Sequence, residues 1–130
     1  MNNYGISVWG LGNHALRRVI PAILMINFFT LVGVCSRSIK KVESCSEDNA
    51  CEGWTDPSKM LANKKIKIVY ISSPIGVHYN FATMALNSNK HVWCEKPLTC
   101  NFNHTKKLID LAKKNKKMLV ESFMFLYHPQ

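Results

Sequence analysis

The segment Ile6-Ser7-Val8-Trp9 runs into Gly10-Leu11-Gly12-Asn13-His14-Ala15, and an amphipathic stretch follows without a break. The short apolar run reads as a strand. Ala15, Leu16, Val19, Ile20, Ile23 and Leu24 then recur at i, i+3, i+4 spacing, which predicts a helix from Asn13 to about Met25 that Pro21 disturbs near its middle. A glycine-rich turn of G-x-G-x-x-A form between a strand and a helix is a dinucleotide-binding fingerprint. Gly10 would allow the tight turn, Gly12 would let a pyrophosphate approach the backbone, and Ala15 would let helix and strand pack closely. The helix start offers unpaired N–H groups and a positive dipole end to phosphates. Leu11, Asn13 and His14 complete the turn and count with it as cofactor-binding positions. A purely structural turn is the alternative reading.

The rest of the chain repeats the alternation. Phe29–Cys35 is apolar throughout, as expected of a strand covered on both faces. The polar, Ser-rich stretch from Ser38 to Thr55 predicts a short helix and a mobile loop. Asp56-Pro57 reads as an N-cap followed by proline at the first helical position, opening a short helix through about Asn63. Strands are expected at Ile66–Ser72, His91–Cys94 and Met118–Ser122. Helices are expected at Val77–Asn87 and Asn103–Asn115, the latter with Leu108, Ile109, Leu111 and Ala112 facing inward. Five strands alternating with helices predict an α/β fold: a doubly wound, mostly parallel Rossmann sheet with helices on both faces, in one domain spanning residues 1–130.

Composition removes several function classes. The formal charge is +9 over 130 residues, but the lysines gather in Lys64-Lys65, Lys106-Lys107 and Lys113-Lys114 at the ends of apolar segments, without interleaved aromatics. Solvated helix faces explain them better than a nucleic-acid partner. Val19 to Cys35 is almost unbroken in its apolarity, yet Pro21, Asn27 and Thr30 interrupt it short of the about 20 residues a membrane span needs. The five cysteines form no C-x-x-C pair and no secretory leader stands ahead of them, which points to a reducing, cytoplasmic setting. Their spacing with the histidines matches no zinc pattern, so no metal is expected.

After the second strand a chain that prefers NAD offers Asp or Glu to the adenosine ribose. This one reads Cys35-Ser36-Arg37-Ser38, with Lys40 and Lys41 just beyond. Ser36 can donate a hydrogen bond to a 2′-phosphate and Arg37 can pair with it as a planar fork. A charge-assisted contact of about 1.5–3 kcal/mol corresponds to roughly ten- to a hundredfold in affinity. The expected cofactor is therefore NADP, with NAD as the second choice, and exposed basic residues after a strand are the alternative.

Three later segments complete a pattern: Ile71-Ser72-Ser73-Pro74-Ile75-Gly76-Val77-His78, Glu95-Lys96-Pro97, and Glu121 through Pro129. With the glycine turn, they make the chain resemble the glucose-fructose oxidoreductase, inositol dehydrogenase and rhizopine-catabolism (Gfo/Idh/MocA) family. Pro97 after a buried strand suits a cis peptide that would aim Lys96 at the cleft above the strand ends. The resemblance implies that Lys96 contacts the nicotinamide ribose and substrate and takes part in proton transfer, while Glu95 helps orient it. A lysine in that role works near neutral pH only if burial or another cation lowers its pKa. Ser72, Ser73 and Pro74 would line the cofactor groove, and His78 is read as pointing to the cofactor side, with the core as its alternative. Ile75 departs from the Asn or Thr that family members often carry there.

The function implied is NAD(P)-dependent hydride transfer to or from a sugar, cyclitol or related polyol. The alternative is a non-catalytic dinucleotide-binding module or truncated remnant. Family members continue into a second α/β domain that holds the substrate, and this chain stops at Gln130, so that domain is expected to be absent. Phe123, Met124, Phe125 and Tyr127 would then expose apolar surface and promote self-association.

Overall fold

The computed structural model describes residues 2–123. Its strands are β1 (Tyr4–Trp9), β2 (Phe29–Cys35), β3 (Glu52–Trp54), β4 (Ile68–Ile71), β5 (His91–Glu95) and β6 (Leu119–Ser122). They form one sheet in the order β3-β2-β1-β4-β5-β6, and every pairing is parallel. Strand order reverses at β1, so β1 and β4 flank the switch point where ligands of open α/β sheets bind. This is the doubly wound arrangement the alternation predicts.

The first helical segment begins with a π-helical turn, Ala15–Val19, in which the Ile20 N–H reaches back five residues to the Ala15 carbonyl, and continues as α1 (Ile20–Leu24). Pro21 is the physical reason: it has no N–H to donate, and its ring crowds the carbonyl four residues earlier, so the preceding turn widens. α2 (Ile39–Asn49) starts at Ser38, whose side chain accepts from the Lys41 N–H, and ends where Ala50 turns left-handed at φ 49°. α3 (Pro57–Ala62) opens as expected, with the Asp56 carboxylate accepting the Ser58 N–H at 2.9 Å. A 3-10 turn, Ile75–Val77, leads into α4 (His78–Asn87), and α5 (Phe102–Lys114) is capped by Asn101.

Three expectations need correction. The region from Ser38 to Thr55 holds an eleven-residue helix and a sixth strand, β3, rather than a short helix and a loop. β3 is only Glu-Gly-Trp and shows no apolar alternation; it exists because it pairs with β2, where Trp54 lies over Gly33 so closely that a Cβ there would meet the indole ring at 2.4 Å. β2 itself is fully buried only at its Gly33–Cys35 end. Ile109 is 41% exposed, whereas Leu108 and Ala112 are buried, because the inward stripe of α5 is narrower than four residues in five.

Two apolar layers sandwich the sheet. On one face α3, α4 and α5 bring Met60, Leu86 and Leu108 against Val69, Ile71, Val92 and Cys94. On the other, the first helical segment and α2 bring Val19, Ile20, Ile23, Val42 and Cys45 against Ile6, Val8, Val34 and Tyr70. On that second face a cavity of about 190 Å³ opens between the flank of α1 and the side chains of Tyr70, Trp93, Glu95 and Ser122. Among the described residues no helix is long and apolar enough to cross a membrane. The residues Met124 to Gln130, with the expected apolar positions Met124, Phe125 and Tyr127, lie outside the described region.

Candidate functional site

The carboxyl ends of β1, β2 and β4 are stitched together by backbone and hydroxyl contacts. The Gly10 N–H donates to the Cys35 carbonyl at 2.8 Å, which sets the glycine turn beside the end of β2. On the other side the Ser72 N–H and the Ser73 hydroxyl both donate to the Trp9 carbonyl, at 2.8 and 2.9 Å. Gly10 has φ +108°, and a Cβ there would stand 2.7 Å from Ser72 C and Ser73 N, so both conformation and space require glycine. A Cβ on Gly12 would meet no atom within 4 Å. Nothing among the described residues demands glycine at that position.

Around this turn the expected residues take distinct places. Asn13 and His14 are exposed, but Leu11 is 2% exposed and its side chain belongs to the core. Only the backbone of Leu11 can serve a ligand, which narrows its expected role. At the end of β2 the Ser36 hydroxyl accepts the Ser38 N–H at 3.2 Å, and Arg37 is exposed just past the strand. The glycine turn and Arg37 thus flank the same pair of strand ends.

On the far side of the switch point, β5 delivers Glu95, Lys96 and Pro97. A cis peptide joins Lys96 to Pro97, and both residues are exposed. Oε1 of Glu95 accepts from the Tyr70 hydroxyl and pairs with Nε2 of His14 at 2.9 Å. The carboxylate that the resemblance assigns to orienting Lys96 therefore ties β5 to β4 and to the glycine turn. Burial, reinforced by the bond to Glu95, holds the Tyr70 phenol well above its usual pKa. Beyond Pro97, Oε2 of Glu121 accepts the Leu98 N–H at 2.6 Å and anchors the chain as it leaves the strand.

His78 is not where it was expected. The ring is 1% exposed, with Nδ1 2.9 Å from the Pro97 carbonyl and Nε2 2.7 Å from the Ser73 carbonyl, so both nitrogens are engaged inside the protein. The start of α4 turns it inward, behind the groove rather than into it. Ile75, where the resemblance leads one to expect a polar side chain, is 39% exposed. Among the thiols, burial pushes Cys35 and Cys94 each up to about 12, which leaves them protonated and poor nucleophiles. The described residues contain no group of three or more His, Cys, Asp or Glu placed to hold a metal ion.

Sequence reasoning missed Tyr70 and the anchoring role of Glu121. Tyr70 lies 25 residues before its partner Glu95, inside a strand that reads simply as apolar. Its one signal is a hydroxyl-bearing ring in an otherwise aliphatic run, which when buried needs a partner.

Residues 4–123 match the model of the GFO_IDH_MocA group, described as an oxidoreductase family with an NAD-binding Rossmann fold. The chain belongs to this family. Within the family it is 34% identical over 123 residues to dTDP-3,4-didehydro-2,6-dideoxy-alpha-D-glucose 3-reductase of Saccharopolyspora spinosa, covering 95% of this chain and 37% of that protein. It is also 34% identical over 113 residues to scyllo-inositol 2-dehydrogenase (NADP(+)) of Bacillus subtilis, covering 86% of this chain and 34% of that one. KijD10, a 3-ketoreductase from Actinomadura kijaniata solved in complex with TDP-benzene and NADP, superimposes with a TM-score of 0.95 at 29% identity, over 99% of this chain and 41% of its own. The chain thus spans less than half the length of these Gfo/Idh/MocA relatives.

Proposed function

We propose that residues 1–130 form the NADP-binding domain of an oxidoreductase that passes hydride to or from a hydroxyl or keto carbon of a sugar, cyclitol or related polyol. The observation that carries this reading is the convergence of the Gly10–His14 turn, Arg37 and the Lys96–Pro97 turn at the carboxyl ends of β1, β2 and β5, on one edge of the same parallel sheet. The pyrophosphate suits the backbone of Gly12 and the helix start behind it, where a Cβ would point into open space. Arg37 and Ser36 suit a 2′-phosphate, and no acidic side chain follows β2 to oppose it. Ser72, Ser73 and Pro74 form the turn facing the glycine turn across the switch point.

Bound there, the nicotinamide would supply the hydride chemistry. The protein's own part falls to Lys96, an exposed ammonium just past the end of β5, which would hold the reacting oxygen and carry its proton. Two relatives favour the substrate class: one is named for a deoxysugar keto group and the other for scyllo-inositol. A further substrate-binding domain is proposed as the source of orientation for that substrate: the chain covers 37% and 34% of those two relatives.

Calorimetric titration of the chain with NADPH and NADH tests the cofactor assignment. NADPH is expected to bind roughly ten- to a hundredfold more tightly, and Arg37→Ala to erase most of the difference. Equal affinities in the unmutated chain would remove the assignment of Ser36 and Arg37.

A further inference from the structure

A buried imidazole is costly unless its polar atoms are satisfied, so the partners of His78 show what the residue is kept for. Both lie outside its own helix. Nε2 is 2.7 Å from the carbonyl of Ser73, in the turn after β4, and Nδ1 is 2.9 Å from the carbonyl of Pro97, immediately after Lys96. Carbonyl oxygens only accept, so the ring donates from whichever nitrogen carries the hydrogen. The Ser73 turn is in turn fixed to β1 through the Trp9 carbonyl, beside Gly10. A continuous set of contacts therefore runs from the glycine turn, through Ser73 and His78, to the segment that carries Lys96.

We propose that His78 is a positioning residue: from behind the groove it bolts the Ser73 turn to the Lys96–Pro97 turn and so sets where Lys96 stands relative to the glycine turn. The proposal rests on the cofactor reading above for its consequence, though not for the bolt itself. It assigns no contact with cofactor or substrate to the ring, which is 1% exposed. The two halves of the cofactor would feel it unequally. The adenosine half is served by Gly10–His14, Ser36 and Arg37, none of which His78 touches, whereas the nicotinamide half is served by the turns it joins.

The test uses the whole chain with two probes, NADPH and adenosine 2′,5′-bisphosphate, titrated into the unmutated protein, His78→Leu and His78→Gln. In His78→Leu the affinity for NADPH should fall by roughly three- to tenfold, the size of one or two lost hydrogen bonds, while that for the bisphosphate stays unchanged. His78→Gln, which keeps an N–H donor, should recover part of the loss. A parallel loss for both probes would show a merely structural residue and overturn the proposal, as would no change for either. Amide exchange without ligand provides a readout that survives failure of the cofactor reading. In His78→Leu the Val77 N–H, bonded to Pro74 at 3.1 Å, and the Leu98 N–H, bonded to Glu121 at 2.6 Å, should exchange faster together while the amides of β1 do not. If the unmutated chain binds neither probe the cofactor reading falls, and unaltered exchange at either turn defeats the bolt.

Discussion

Over one face of the sheet α4 and α5 bury Leu86, Leu108, Val92 and Cys94 to 1% exposure or less, while on the other face the same strand β5 offers Trp93 and Glu95 to a cavity. The first face is filled by apolar side chains from three helices and the strands, with the rings of Trp9 and Phe81 stacked among them. The second carries a tyrosine, a tryptophan, a carboxylate and a serine beside the flank of α1, and the indole Nε1 of Trp93 is buried without a hydrogen-bond partner among the described atoms. One strand thus does two jobs through its alternation. Its inward residues Val92 and Cys94 stabilise the fold, and its outward residue Glu95 reaches His14 and Tyr70 and joins the glycine turn to the strands on the far side of the switch point. Stability and chemistry are separated by a period of two residues rather than by distance along the chain.

Substitutions on the two faces should therefore differ in kind. The largest effect is expected on the closed face. Leu86→Ala, at a position with no exposure, should cost about 2–5 kcal/mol in urea unfolding, the range for emptying a packed aliphatic site. A loss below about 1 kcal/mol would mean that α4 and α5 can collapse onto the gap, and the faces would no longer be distinct. Trp93→Phe should change stability by no more than about 1 kcal/mol, because the lost contact is offset by removing an N–H that has no acceptor among the described residues. A cost comparable to Leu86→Ala would show that the cavity side is as tightly built as the other.

The smallest effect concerns pH and the same outward row of β5. The Met118 N–H donates to Nδ1 of His91 at 3.0 Å, so that nitrogen must carry no proton, and burial, aided by Lys117, lowers the ring's pKa from its usual 6.5. The unfolded ring takes up a proton that the folded ring resists. Stability is therefore full above pH 6.5 and declines as pH falls from there through the lowered folded value. Urea midpoints measured between about pH 8 and 5 should fall less steeply in His91→Gln than in the unmutated chain. Identical slopes would show that His91 contributes nothing to the acid sensitivity of this edge.

What the sequence discloses follows the range of the interactions involved. The glycine turn, the Asp56-Pro57 helix start and the alternation of elements are local and were legible, because the residues that decide them lie within a few positions of one another. β3 was not, since three residues become a strand only by pairing with β2 about twenty positions earlier. The cis peptide between Lys96 and Pro97 was readable, whereas the destination of the Glu95 carboxylate was not, because His14 and Tyr70 lie 81 and 25 residues away. His78 shows the same limit from another direction. Its residue type suggests an open groove, and only the angle at which α4 leaves the Ser73 turn decides that the ring faces inward.

The widened turn at Ala15–Val19 makes the angular phase of the first helical segment part of the site. The five residues of the widened turn carry the chain through about the same rotation as four residues of α-helix, so the turn takes up one extra residue without changing the phase of what lies on either side. With Val19, Ile20 and Ile23 held in the core, His14 therefore keeps its place against Glu95. Straightening the turn without removing a residue would instead rotate one end by about 100° against the other, so the widening itself keeps the two ends in step.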